Sequence, residues 1–218
     1  TTLSQWFYLK DVSPVAQNAS VNPAQGGWSR PYNYTIQIVD DAADNVTCTL
    51  FVSSDNQTTW QNKGAATVSG SGNCTISVYS LACGEIGTDN WFKWHILNGE
   101  PANQFNTSPV YGPNLTTSNV TLTHIFGNET SINRSAANAY FSVRVHDSEN
   151  LTYVNNSNLT FWVTTNGIAY DSGNQTFTNS SGHDQVYFNP SCSYSAAKQS
   201  WRGGTTDICY TQTNSSNF

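Results

Sequence analysis

Short runs in which apolar and polar residues alternate dominate the chain, and clusters of Gly, Asn, Asp and Ser separate them. Alternation with a period of two is typical of a β-strand with one buried face, and the spacing of an amphipathic helix is missing. Turn signals fall between the runs, as in SGSGN at 69–73 and TNG at 165–167. The pattern predicts strands at residues 32–39, 45–53, 74–80, 90–97, 119–126, 139–146, 158–164 and 185–189.

Repeated short strands at this spacing predict an all-β protein made of antiparallel β-sandwiches. The length of 218 residues accommodates one large domain or two small ones. The alternation stops in the segment 98–118, which is rich in Asn, Pro, Gly and Ser, and YGPN at 111–114 has the composition of a linker. We therefore predict two tandem domains, residues 1–112 and 113–218.

The motif Asn-x-Ser/Thr, the sequon for N-glycosylation, recurs along the whole chain. The sequence contains 26 Asn, 26 Ser and 26 Thr. In random order this composition would give roughly six sequons. The chain has 16 of them, which is more than composition explains, and their asparagines are Asn18, Asn33, Asn45, Asn56, Asn73, Asn106, Asn114, Asn119, Asn128, Asn133, Asn150, Asn155, Asn158, Asn174, Asn179 and Asn214.

Many sequons coincide with predicted strands, where residues i and i+2 share a face and residue i+1 faces the other way. In Asn33-Tyr34-Thr35, the tyrosine is in phase with the apolar Ile36 and Ile38, so the asparagine belongs to the solvent face. We therefore predict that most sequons carry a glycan on outward strand faces. The alternative is that Asn and Thr merely fill polar strand positions.

The charge pattern excludes some partners. Only 10% of the residues are charged, the net charge is −6, and eight Lys plus Arg provide no basic patch for nucleic acid. No apolar run approaches the roughly 18 residues that a membrane-spanning helix needs. Without Met or a signal peptide, the chain is expected to be a processed protein or a piece of a longer one. Five cysteines beside dense sequons favour an extracellular or cell-surface location.

Two groups of segments resemble immunoglobulin-like domains of surface proteins. In the first half they are a strand, an Asp-rich turn, a second strand and a TTW hairpin; in the second half they are FSVRVHD, LTFWVTT and NSSG. The second group is similar to bacterial and archaeal immunoglobulin-like repeats. The resemblance implies tandem sandwich modules of surface layers, adhesins, stalks or extracellular filaments. The density of sequons resembles that of archaeal surface glycoproteins and glycosylated fibrils.

The five cysteines suggest two disulfides. Cys48 and Cys74 are each in phase with core residues of their strands, so we expect them to form a bridge in the first core, although Cys83 is a competing partner. Cys192 and Cys209 flank the WRGG segment, and we expect them to fasten a long loop to the final strand. Cys83 then remains as a buried thiol or a link between chains.

No motif for catalysis is present, and the four His and four Glu are scattered singly. Asp40, Asp41 and Asp44 form one acidic cluster, whose oxygens could hold Ca²⁺, but Asp is also the ordinary turn residue between strands. We therefore expect no enzyme, no metal and no cofactor other than covalent N-glycans.

These features predict a structural subunit of an extracellular glycoprotein filament or surface layer, whose partners are copies of itself. The alternative is a carbohydrate-binding or adhesive module that uses exposed aromatic residues such as Trp162. The second domain is expected to lack its closing strand, because the chain stops where that strand should begin. The apolar segment 1–12 could complete a sandwich of the next subunit and give a head-to-tail filament, or it could be the first strand of its own domain.

Overall fold

The computed structural model describes residues 12–41, 44–79, 81–87, 89–99 and 104–218. Nearly all the regular structure in these ranges is β-strand, with one turn of 3-10 helix at Cys83–Glu85. The strands are β1 Val15–Asn22, β2 Gln25–Gly27, β3 Tyr32–Val39, β4 Asn45–Ser53, β5 Gln61–Ser69, β6 Gly72–Val78, β7 Trp91–Asn98, β8 Gln104–Asn106, β9 Val110–Tyr111, β10 Asn114–Thr116, β11 Val120–Phe126, β12 Ala139–Asp147, β13 Thr152–Tyr153, β14 Asn158–Val163, β15 Asn174–Phe177, β16 His183–Phe188 and β17 Trp201–Thr205.

The chain divides into two compact units, and the division differs from the predicted boundary at 112/113. The first unit ends at Thr116, because Leu115 is only 2% exposed and belongs to the first core. The second unit contains Thr117–Phe218 and also the short segment Gly27–Arg30. In that segment, the indole nitrogen Nε1 of Trp28 donates a hydrogen bond to the Cys209 carbonyl at 2.8 Å.

The first unit is an antiparallel β-sandwich. One sheet has the order β1-β3-β6, and the other has the order β5-β4-β7-β8, with β9 also pairing with β7. Alternate residues of β3 and β4 point into a common core, where Ile36 is 1% exposed and Val46 and Leu50 are 0% exposed. Fully burying such a side chain contributes about 1.5–3 kcal/mol to stability. The disulfide between Cys48 of β4 and Cys74 of β6 joins the two sheets, as expected from the sequence.

The second unit repeats this architecture with its own core. Strands β11 and β16 flank β12 in one sheet, and β13 also pairs with one end of β12. The other sheet has the order β15-β14-β17. Val143 and Val145 of β12 face Leu159 and Phe161 of β14, and all four are 0% exposed. The predicted all-β fold of antiparallel sandwiches is therefore confirmed.

The expectation that the second domain lacks a closing strand is wrong. The chain after residue 212 runs beside β17, where the Thr205 amide donates to the Thr213 carbonyl at 2.9 Å. Trp201 and Phe218 exchange two backbone hydrogen bonds of 3.0 Å. The expectation failed because this segment, TNSSNF, is short and polar and ends in one apolar residue, so it shows no alternation. The proposed donor segment 1–12 lies outside the described residues except for Val12.

The expected Cys192–Cys209 disulfide is also wrong, since Cys192 is a free, exposed cysteine and Cys209 is disulfide-bonded. The loop with Cys192 lies near the Trp201 end of β17, where Ser195 donates to the Thr165 carbonyl at 2.8 Å. Cys209 follows the opposite end of β17. A five-residue strand spans about 13 Å, whereas the Cα atoms of a disulfide lie within about 7 Å. Cysteines at opposite ends of β17 are therefore too far apart to form a disulfide. Cys83, expected to be a thiol or an interchain link, is disulfide-bonded as well.

Candidate glycan-bearing surface

All 16 sequon asparagines lie in the described part of the chain, and none of them is buried. Fourteen are exposed, and the other two, Asn150 and Asn158, are partly exposed. Two asparagines of the described residues are buried, Asn90 and Asn98, at 1% exposure each, and neither belongs to a sequon. The geometry that glycan attachment requires, an amide nitrogen outside the core, is therefore met widely across both units.

Strand register explains why sequons with apolar middle residues still present their asparagine to solvent. In β3, Asn33 is exposed while Tyr34 is 0% exposed and packs edge-on against Phe92 at 5.1 Å. Burial is the main reason why the pKa of the Tyr34 hydroxyl is raised. In β4, Asn45 is exposed and Val46 is 0% exposed. In each of these sequons the middle residue packs in the core while the asparagine lies on the surface.

The outer face of the β1-β3-β6 sheet carries Asn18, Asn33 and Asn73, and its three strands contain no charged residue. Amides and hydroxyls bond to one another across this face. The Ser77 hydroxyl donates to Asn33 Oδ1 at 2.6 Å, and Asn18 Nδ2 donates to Gln37 Oε1 at 2.8 Å. The solvent-facing side of this sheet therefore depends on neutral polar groups for its hydration.

Several sequons occupy turns that their own side chains stabilise. Asn150 Oδ1 accepts hydrogen bonds from the Thr152 amide at 3.0 Å and from its hydroxyl at 2.5 Å. Leu151 between them has a φ of 60°, the left-handed conformation that a non-glycine residue rarely adopts. Asn179 Oδ1 similarly accepts from the Ser181 amide at 2.9 Å. In such Asx-turns the amide oxygen of the sequon asparagine itself holds the turn.

The turn that carries Asn56 is held by Asp55. The Thr59 hydroxyl donates to Asp55 Oδ2 at 2.6 Å, and the Ser53 hydroxyl donates to Oδ1 at 2.7 Å. These hydrogen bonds, first that of the Thr59 side chain, lower the pKa of Asp55 to about 2. Asn56 itself has a φ of 53° at the tip of this turn.

The few cationic side chains of the described residues are placed against aromatic rings at several points. The Arg144 guanidinium lies 3.5 Å from the centre of the Tyr153 ring, and Arg202 lies 4.3 Å from that of Tyr170. Arg202 also lies 5.3 Å from the Trp162 ring. Trp162, which the strand phase placed on the outside, is therefore only partly exposed, with a guanidinium beside its ring.

A cleft of about 920 Å³ opens at one end of the second unit. Segments 127–134 and 194–199 form its walls. Phe141 stacks on Trp201 with ring centres 4.7 Å apart, and Phe218 lies 4.9 Å from Trp201, so core aromatics reach the cleft. The sequence gives no sign of this cleft, because its aromatic residues come from separate stretches of the chain.

The acidic cluster shows no arrangement for metal binding. Asp40 and Asp41 follow β3 and Asp44 precedes β4, and no group of three or more His, Cys, Asp or Glu among the described residues could hold a metal ion. In the same part of the chain, no helix is long and apolar enough to cross a lipid bilayer.

No known family model matches the chain, and no curated protein matches it significantly. Among solved structures, the chain is similar to a tetra-tandem repeat in the extending region of a large adhesion protein, with 14% identity and a TM-score of 0.48 over 93% of this chain and 48% of that one. Red sea bream transglutaminase has 12% identity and a TM-score of 0.35, and the match covers 90% of this chain and 30% of that one. Alpha-2-macroglobulin of E. coli has 8% identity and a TM-score of 0.33, and the match covers 97% of this chain and 16% of that one. The chain thus spans less than half the length of each.

Proposed function

We propose that this protein is a non-enzymatic structural subunit of an extracellular glycoprotein filament or surface layer, built from two immunoglobulin-like sandwiches and coated with N-linked glycans. The observation that carries the proposal is that all 16 sequon asparagines lie outside the two cores. They occur on strands and turns of both units, so glycans attached to them would cover the molecule rather than one patch.

Sugar provides the hydration that charge provides on most protein surfaces. The charged fraction of 10% is well below the roughly 25% of an ordinary soluble domain. The uncharged outer face of β1-β3-β6 carries three sequons and would gain the most from glycans. The Cys48–Cys74 disulfide supports an oxidising, extracellular location for the same molecule.

Copies of the proposed subunit bind one another to form the filament. Residues 1–12, TTLSQWFYLKDV, combine aromatic and aliphatic side chains that the aromatic cleft of a second copy could take up. Phe218 and Tyr194 line the cleft and are partly exposed, so they provide aromatic contact area there, whereas Phe141 and Trp201 are buried at 6% and 3% exposure. A contact between two different surfaces of identical subunits repeats without limit when it does not close into a ring. The product is a head-to-tail filament.

The alternative, a carbohydrate-binding module, needs bare aromatic rings on which a sugar can stack. The outward-facing Trp162 and Tyr170 rings have Arg202 beside them, which occupies part of that stacking surface. Sequons also surround the strands from which such a site would be built. We therefore favour the structural role.

Filling the cleft tests the assembly. Ala197 is exposed and lines the cleft, so Ala197→Trp should occupy the space while leaving the sandwich intact, and filaments should be lost or shortened in electron micrographs. Ala136→Trp is the matched control, because Ala136 is exposed in the same unit but does not line the cleft. Deleting residues 1–12 should likewise give folded monomers. Normal filaments from the truncated and Ala197→Trp proteins would contradict assembly through this cleft.

A further inference from the structure

The sequons differ in whether an enzyme can reach them once the protein is folded. A transferase that recognises Asn-x-Ser/Thr has to contact the asparagine amide and the hydroxyl two residues later, together with the backbone between them. Asn Nδ2 forms a bond to the anomeric carbon of a lipid-phosphate-linked sugar donor. The lipid phosphate leaves with the bonding electrons, and one amide proton is released. The tripeptide therefore has to enter an active site.

In the folded protein, the sequons at Asn33 and Asn45 cannot do so. Asn33 pairs with Asn22 on one side and Ser77 on the other, in the middle strand of its sheet. Val46, the middle residue of the second sequon, pairs with Val68 and Asn98. Both tripeptides are thus held by backbone ladders on both sides, and their middle side chains are 0% exposed. Releasing either one requires opening a sheet.

Asn158 is less accessible still. Its sequon is completed by Thr160, which is 3% exposed and whose hydroxyl lies 3.3 Å from that of Thr206. Oδ1 of Asn158 is itself buried without a hydrogen-bond partner among the described residues. The neighbouring sequon of Asn155 ends in Ser157, which is 1% exposed. An enzyme that approaches the folded unit cannot touch either hydroxyl.

The sequon Asn73-Cys74-Thr75 is locked by a covalent bond. Its middle residue forms the disulfide with Cys48, which immediately follows the sequon that starts at Asn45. Formation of this bond passes two electrons and two protons from the thiols to a thiol oxidant, such as another disulfide. Once it has formed, both tripeptides are tethered across the core.

Other sequons remain accessible after folding. Asn128 and Thr130, and likewise Asn133 and Ser135, are exposed in the loop between β11 and β12. This loop belongs to no sheet. The Ser135 amide donates one hydrogen bond to the Pro190 carbonyl at 2.9 Å, in place of the two-sided ladders of the strand sequons, so the loop can be displaced without opening a sheet. The chain therefore contains two classes of sequon, one in the sheets and one in loops.

We infer that the strand sequons at Asn33, Asn45, Asn73 and Asn158 receive their glycans on the unfolded chain, before the sheets close and before the Cys48–Cys74 disulfide forms. The inference rests on the proposed glycosylation and adds its order to it. The substrate of the transferase at these sites is the extended, reduced chain, whereas the loop sequons are substrates in either state.

Glycosylation of the folded chain in vitro tests this order. The full chain is produced without glycans, folded with its disulfides formed, and given an oligosaccharyltransferase with a polyprenyl-phosphate-linked oligosaccharide. Glycopeptide mass spectrometry measures the rate at each asparagine relative to the same sequons in a proteolytic digest. Asn128 and Asn133 should react at comparable rates in both samples. The four strand sequons should be slower in the folded chain by about a thousandfold or more, because unfolded fractions of native proteins lie near 10⁻³ or below.

A measurement in the producing cells covers the case in which the glycan-free chain does not fold. When the sugar donor is withheld during synthesis and restored afterwards, the loop sequons should fill and the strand sequons should stay empty. Equal filling of both classes in the folded chain would overturn the order. A native protein with no glycan at any sequon would instead overturn the proposed function.

Discussion

At the residue scale, Asp184 is a carboxylic acid at the edge of the second core, with only 3% of its surface exposed. The Thr176 hydroxyl donates to its Oδ2 at 2.5 Å, and the Gln185 amide donates to its Oδ1 at 2.7 Å. Burial nevertheless outweighs these hydrogen bonds and raises the pKa of Asp184 above the ordinary 3.8. The folded protein therefore holds this proton more tightly than the unfolded chain does.

This difference predicts the sign of a pH effect. A carboxyl group whose pKa is raised on folding stabilises the fold below its ordinary pKa, and this stabilisation is lost as the pH rises through the raised value. Asp184→Asn stays uncharged and should lose that pH dependence, so its stability relative to the wild type should improve as the pH rises. Denaturant unfolding of both proteins below and above pH 3.8 measures it. A stability difference that does not change with pH would contradict the argument.

At the element scale, the Cys48–Cys74 disulfide holds β4 of one sheet against β6 of the other. The two cysteines are 26 residues apart in sequence. Replacing both with alanine should lower the free energy of unfolding by about 3–4 kcal/mol in the chain-entropy model. Cys192→Ser is the matched control, because that exposed, free thiol should change stability by no more than about 0.5 kcal/mol. Equal effects of the two changes in denaturant unfolding would argue against the role of the bridge.

The segment after residue 212 closes the second sandwich, and Phe218 supplies its apolar anchor. Its ring lies 4.9 Å from that of Trp201 and 4.4 Å from that of His124. Phe218→Ala should cost about 1–2 kcal/mol, less than the 3–5 kcal/mol of a fully buried phenylalanine, because the ring is only partly covered. Ile208→Ala, at a residue 86% exposed, should leave the melting temperature unchanged. Wild-type stability of Phe218→Ala would show that the segment does not close the core.

Strands with one buried face and one solvent-facing side could be predicted from the sequence, and strands without this difference could not. Strands β3 and β4 were predicted with their observed bounds, since buried and more exposed residues alternate along them up to the last residue of β4. Strands β1 and β5 were missed because neither has a buried residue. Strand β17 contains two glycines and resembles a loop. A Cβ at its Gly204 would lie 2.1 Å from Asn214 Oδ1, so close approach of the closing segment accounts for one of them.

Some features of the candidate glycan-bearing surface could likewise be predicted from the sequence, and others could not. The sequons and their solvent phase were visible in the sequence because a tripeptide motif and a period of two are local properties. The free state of Cys192, the cleft at Trp201 and the burial of Thr160 depend on which strands and loops meet in three dimensions. No local pattern around these residues carries that information.

At the scale of the whole molecule, we propose that sugar provides the hydration that charged residues provide in other proteins. Three observations support this proposal: a net charge of −6 on 218 residues, an uncharged outer sheet face, and 16 sequon asparagines outside the cores. Filament assembly has to take place between these glycans, and in the proposed contact at the cleft the sequon asparagines Asn128 and Asn133 lie in one wall.

The most direct test of this claim is site-by-site glycopeptide mapping of the native protein, with its intact mass measured before and after removal of the glycans. The account predicts that most of the 16 sequons carry glycan, those on strands and those in turns alike. Occupancy of fewer than about half of the sequons would contradict the claim that sugar forms the surface of this protein.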